Sequence, residues 1–385
     1  MGWMEILLRS KSLKNCNNNT NAFFALLRAG LWEKEARLLE CGDVNFPEIY
    51  DLAAGQSVVG LLAAGLEHVN DVKPPQTFVL NIVGETLQIE QRNKEMNDFI
   101  ALLIARLQNE GISALLVKGQ GIAQCYERPM WRSSGDIDLL LDRNNYESAK
   151  KSLKPLAVEV EKENVSKLHC SLNIDSWIVE LHGTMRSGIS QGFDQMIDKV
   201  QADTFENKRI REWHNGKTNV PLPDINNDII FVFTHILQHY FWGGIGLRQI
   251  CDWCRLLWTY HSSIDVDLLE ARLTEMKAMT EWRTFAAYAV NLLGYPEEEM
   301  PLFDSSEKWK RKAYRVNDYV MKVGNFGRNR DMSYISRYPY LLRKVMSFMR
   351  ATGDLFNHFI VFPRTTIAAM RGIVVNGTKA VFEGR

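Results

Sequence analysis

The chain has 385 residues, room for two or three packed units, and its 46% apolar and 24% charged residues leave long disorder out of account. Lysine plus arginine balance aspartate plus glutamate at 46 each, so no global field draws the chain to nucleic acid or an acidic membrane, and any binding must come from local patches. Six scattered cysteines exclude a disulfide framework and fit a reducing cytoplasm.

The apolar run near Met1 is too short for a secretory signal, and Ile6 stands where a myristoylation motif needs Ser or Thr. No apolar run approaches the ~20 residues of a membrane span. From Asn21 to about Leu107 apolar residues recur at three- and four-residue steps, as in Phe23, Leu26, Leu27 and Leu31. Asn45-Phe46-Pro47 predicts a helix start, and Lys73-Pro74-Pro75 a break before a long helix ending near Asn109. The pattern changes at Gly111. Ser113 to Val117 is a strand-length apolar run, Gly119 to Tyr126 a turn and helix, and Ile137 to Leu141 a second strand. A helix over Asn144 to Leu153 is expected to be capped by Asn144 or Asn145, and Leu168 to Leu181 to form a hairpin around Asn173 to Ser176. Beyond Pro221-Leu222-Pro223 helices return, with Gly243, Gly244 and Gly246 in a turn between two of them. The expected organisation is α+β: a helical unit over 1–107, a mixed-sheet core over 108–215 and a second helical unit over 216–385.

The chemistry concentrates between Leu115 and Asp142. Asp136 and Asp138 lie two apart at the start of a strand, so both carboxylates share one face. Adjacent acids repel unless a cation lies between them, and Mg2+ suits hard oxygen donors, completing its shell with phosphate and water. Upstream, Lys118-Gly119-Gln120 closes a strand and opens a helix, where backbone N–H groups collect a phosphate and glycine lets it come close. Downstream, Trp177 to Gly183 reads as a strand with Val179 and Leu181 on one face and Glu180 and His182 on the other. Glu180 is then the candidate third acid. His182 is either a supporting group for the acids or a histidine that merely ends the strand.

LLVKGQGIAQCYERPMWRSSGDIDLLLD, followed by Tyr146-x-x-Ala149 and VELHG, resembles an uncharacterised bacterial nucleotidyltransferase family within the DNA polymerase beta superfamily. The resemblance runs over most of residues 20 to 260. It implies a polymerase-beta-like core, in which a hydroxyl attacks the α-phosphate of a nucleoside triphosphate and pyrophosphate leaves. Asp136 and Asp138 would bridge two Mg2+ ions, with Mn2+ as an alternative, and Glu180 would bind the ion that activates the hydroxyl. Lys118, Gly119, Gln120, Arg132 and Gly135 would hold the nucleotide. The acceptor, whether a small molecule, a sugar or a protein, is not specified, and nucleic acid is not expected. Arg132 has an alternative as the partner of Glu127 or Asp142. Gln120 departs from the superfamily's Gly-Ser or Gly-Gly turn and favours a rival reading, a catalytically silent binding or scaffold protein of the same fold.

Other features carry less. His235 and His239 share a helix face, but Ile236 replaces the glutamate of a zinc protease motif, leaving packing or cavity-lining roles. Cys251 and Cys254 read as a helix interior without a second pair to complete a zinc site. Trp242, Trp253 and Trp258 are expected in the core, with one of them free to stack on a base or sugar. The basic C-terminal stretch (Arg337, Arg343, Lys344, Arg350, Arg364, Arg371, Lys379) reads as a solvated face, with weak peripheral membrane contact as the alternative.

Overall fold

The computed structural model describes residues 18–165, 168–330 and 340–370. The N-terminal signal and myristoylation readings lie outside the described residues, as do Arg337, Arg371 and Lys379 of the basic stretch.

Helices α1 (Asn18–Trp32), α2 (Phe46–Gln56) and α3 (Val59–Leu66) come first. Asn45 caps α2 by accepting from Glu48 N, with Pro47 in the first turn, as the sequence predicts. Helices α1 and α3 approach closely through Gly30 and Gly65, where an added Cβ would lie 1.9 Å from Leu61 O and 2.0 Å from Leu26 O. The 34-residue helix α4 (Gln76–Asn109) follows the proline break.

Strand β1 (Leu115–Val117), a short helix α5 (Gly119–Ala123), strand β2 (Ile137–Leu140) and helix α6 (Arg143–Leu153) open the core. The cap of α6 is Asp142, not Asn144 or Asn145: its Oδ1 accepts from both of their backbone N–H groups at 2.9 Å. Strands β3 (Glu159–Val160), β4 (His169–Ile174) and β5 (Trp177–His182) complete a mixed sheet in the order β1-β2-β5-β4-β3. Strand β2 runs parallel to β5, and the other pairings are antiparallel. After α7 (Gln191–Glu206), a hairpin of β6 (Ile210–Asn215) and β7 (Thr218–Pro223) stands where no strands were expected. The inward positions of β6 are Arg211, Trp213 and Asn215, so its regular alternation is not an alternation of apolar with polar residues.

Further helices are α8 (Ile225–Trp242), α9 (Leu247–Thr259), α10 (Val266–Glu275), α11 (Met279–Leu293), α12 (Glu307–Val323) and α13 (Tyr340–Val361). The turn expected at Gly243–Gly246 joins α8 to α9. Cys251 and Cys254 are buried free thiols inside α9. Among the described residues no helix is long and apolar enough to cross a membrane.

Period-two alternation divides the sheet between two cores. Leu116, Ile137, Leu139, Val179 and Leu181 face the C-terminal half of α4 together with Tyr146 of α6. Leu115, Val117 and Leu140 face a larger core shared by the helices before and after the sheet. Arg28 Nη1 and Trp32 Nε1 of α1 donate to the carbonyls of Leu292 and Leu293, satisfying acceptors that the end of α11 leaves open. The polar positions of β2 and β5 lie on this second face, opposite α8 and α9.

Candidate active site

The register of the strands assembles the site. Asp138 on β2 pairs with Val117 on one side and with Glu180 of β5 on the other. Glu180 pairs onward with Ser171, and His182 with His169, across the β4–β5 hairpin. Residues two apart share a face, so Asp138, Glu180, His182 and His169 point the same way. Asp136 sits just ahead of β2. All five line a cavity of ≈ 410 Å³, at the lower end of the range of small-ligand pockets. Its far wall comes from α8, through His235 and His239, and from Arg248 of α9.

The acids differ in their surroundings. Asp138 is buried, with Lys118 Nζ 2.7 Å and His182 Nε2 2.9 Å from its Oδ1. Burial pushes its carboxyl up, but the lysine charge and the imidazole outweigh that and hold it far below the usual carboxylate range. For Glu180, burial is likewise outweighed by His169 and His182, whose Nε2 atoms both lie 3.3 Å from its Oε2, and its carboxyl falls to about 2. His182 responds oppositely: burial lowers it, Asp138 and Glu180 raise it more, and the net shift is upward. Asp136 has no hydrogen bond or ion pair among the described residues. Burial, then Asp138 and Glu180, push its carboxyl up. The three carboxylates line one cavity and are the oxygen chemistry of a divalent cation, although the ligand atoms that come within 4.8 Å of one another among the described residues are those of His169, Glu180 and His182.

The loop before the cleft is built by close approach. An added Cβ at Gly60 would lie 1.8 Å from Trp131 O, and Asn93 Nδ2 donates to Met130 O and Arg132 O, both at 2.7 Å. Lys118 adopts φ 58° and Gly119 φ 45°, in the left-handed region that disfavours side chains. The need for glycine at 119 is therefore conformational, since its added Cβ would meet only Asp136 O, at an ordinary 3.5 Å. Gly119 and Gly135 both line the cavity.

Two expectations need correction. Gln120 is buried away from the cleft, its Nε2 donating to Asn93 Oδ1 at 2.7 Å, so its side chain cannot hold a nucleotide. Its departure from the superfamily turn has a packing reason. Arg132 pairs with neither Glu127 nor Asp142. It makes a two-pronged ion pair with Asp252 of α9, through Nε and Nη2 at 2.7 Å each, and Tyr126 Oη also donates to that carboxylate. Although Arg132 borders the cavity, its charge is already committed.

His235 and His239 take the cavity-lining role, their Nε2 atoms 3.0 Å apart. Burial and then Lys118 hold both imidazoles low, His239 at about 4. Among the described residues no tryptophan lines the cavity. Trp253 is core, and the exposed aromatic ring at the mouth is Phe326, edge-on to His239 and 5.9 Å from the Arg248 guanidinium. Arg248 donates to Ser133 O, but its buried Nε has no partner. Burial, followed by the neighbouring Arg132, lowers its guanidinium. His169, Arg248, Asp252 and Phe326 were not singled out from the sequence. Only His169 left a signal there, one polar position at the start of a hairpin strand opposite His182.

Residues 42–294 match the model of a family described as uncharacterised nucleotidyltransferase. Comparison with curated proteins and with solved structures gave no match.

Proposed function

The chain belongs to the uncharacterised nucleotidyltransferase family, and from that premise we propose that it moves a nucleoside monophosphate from a nucleoside triphosphate to a hydroxyl acceptor, with release of pyrophosphate. The observation that carries this reading is the side-by-side placement of Asp138 and Glu180 on parallel strands, with the unpartnered Asp136 beside them on one cavity floor. Asp136, Asp138 and Glu180 would hold the divalent cations, two Mg2+ or alternatively Mn2+. Bound there, the ions supply charge neutralisation for the triphosphate and acidify the attacking hydroxyl.

The chain's own groups do the rest. Arg248 lines the cavity beside Asp136 and suits a phosphate oxygen. Lys118 exchanges its hold on Asp138 for the triphosphate, while Gly119 and Gly135 keep the rim open. The nucleobase stacks on the exposed Phe326 ring, since every base has a π-face to offer. His235 and His239 stay neutral and form an uncharged wall. The reaction is placed in the cytoplasm, in keeping with the five described free cysteines.

The rival is a silent binding protein, favoured by Lys118 and Arg132, whose charges are already spent on Asp138 and Asp252. Thermal melting with Mg2+ and each of the four ribonucleoside triphosphates separates the two. Under the proposal one triphosphate stabilises the wild type by about 2.7 kcal/mol at a hundredfold excess over its dissociation constant. Asp136→Asn abolishes that rise and leaves the ligand-free protein as stable or slightly more so, because a carboxylate held up by its neighbours is gone. A full rise in Asp136→Asn overturns the site, and no rise in the wild type with any triphosphate leaves the silent protein.

A further inference from the structure

The cavity floor carries two kinds of donor. On the Asp136 side they are carboxylate oxygens alone, the chemistry of Mg2+. On the other side, two imidazoles converge on one carboxylate. The hairpin register sets His169 directly across from His182, and Glu180 lies two residues before His182 on the same face. One donor atom from each of these three lies within 4.8 Å of the others. The His169 and His182 rings stand with centroids 4.9 Å apart, and each turns its Nε2 toward the same atom, Glu180 Oε2.

The spacing around Glu180 suits a metal set. A charge-assisted N–H···O contact closes to about 2.7–2.9 Å. Two ligands each about 2.1 Å from one ion stand about 3.0–3.4 Å apart at octahedral or tetrahedral angles. Both imidazole nitrogens lie 3.3 Å from Glu180 Oε2, the separation of neighbours around an ion, and His182 Nε2 would give up its 2.9 Å contact with Asp138 Oδ1 to bind one. The side chains retain 30%, 24% and 12% exposure for His169, Glu180 and His182, which leaves coordination positions open to the cavity.

We propose that His169, Glu180 and His182 form a site for a divalent first-row transition ion of the zinc type, held by two imidazole nitrogens and one carboxylate, with its remaining positions facing the cleft. Imidazole favours such ions over magnesium, and affinity for mixed nitrogen and oxygen sets rises toward the end of the series. Glu180 belongs to this set and to the oxygen set, and joins them. The site does not depend on nucleotidyl transfer and would be present equally in a catalytically silent chain.

The test is titration of the full-length, chelator-treated protein with Zn2+ by calorimetry, and with Co2+ by visible absorption, without nucleotide. The expected result is one ion per chain and a Co2+ spectrum showing nitrogen ligation, undisturbed by millimolar Mg2+. His169→Gln, at a partly exposed strand start, should weaken Zn2+ binding by at least about tenfold, the loss that even an outer partner of a ligating histidine can cause. Asp136→Asn, which removes a nearby charge but no ligand of this set, should weaken Zn2+ binding far less than His169→Gln. Absence of stoichiometric Zn2+ or Co2+ binding to the wild type overturns the proposal, as does wild-type affinity in a folded His169→Gln. Loss of the triphosphate-dependent melting rise bears on the transferase reading alone, so the two fail separately.

Discussion

Asp252→Ala tests whether Arg132 is a structural cation or a phosphate ligand. The pair is sealed, with 7% exposure at Arg132 and 5% at Asp252, and its two hydrogen bonds are both 2.7 Å. Removing the acid leaves a buried guanidinium without a counter-charge, which costs about 3–5 kcal/mol. Within that loss, Tyr126 Oη forfeits its acceptor, about 1–3 kcal/mol for a buried hydroxyl left unsatisfied. Against a typical total of about 5–15 kcal/mol, the variant should show a plainly lower urea midpoint with an unchanged slope. Arg132→Met combined with Asp252→Leu removes both charges and should recover the ion-pair part, leaving only the Tyr126 deficit of about 1–3 kcal/mol. A single variant within about 1 kcal/mol of wild type would refute the reasoning, because that is the scale of an exposed pair. So would a double variant as unstable as the single one.

Gly60→Ala drives a methyl against Trp131 O and should cost about 1–3 kcal/mol in the same urea assay, while a wild-type midpoint would mean that the loop before Arg132 is not held by this contact. His358 is fully buried among Tyr240, Phe241 and Tyr319, and burial holds its imidazole at about 3. Between about pH 6.5 and that value the unfolded chain binds a proton that the fold refuses, so stability falls as pH drops, by about 1.4 kcal/mol per unit. His358→Phe should lose that part of the acid sensitivity, and parallel stability–pH curves for the two proteins would count against it. Phe326→Ala should leave the fold intact, since 53% of the residue is exposed. It should weaken triphosphate binding by about 1–3 kcal/mol in calorimetry if the base stacks there, and an unchanged affinity would move the base elsewhere.

What the sequence determined by itself is local. Asp136, Asp138, Glu180 and His182 could be assigned to faces because side chains alternate along a strand, and the start of α2 was legible because Asn45 and Pro47 act within one turn. The cap of α6 was equally local, but Asn144 or Asn145 was expected to supply it, whereas Asp142 accepts from the backbone N–H groups of both. Tertiary structure decided the rest. A two-residue period names a strand's face without naming its neighbour, so only the parallel pairing of β2 with β5 sets Asp138 beside Glu180, and only the hairpin register brings His169 to His182. The partners of Gln120 and Arg132 were illegible because Asn93 and Asp252 lie 27 and 120 residues away. Arg248 reaches the cleft from α9, whose local pattern reports only burial, and Phe326 from the turn that follows α12. Hydrophobic periodicity encodes which face turns inward, but the identity of the group met there is set by packing between distant segments, and that is where the chemistry of this cleft is completed.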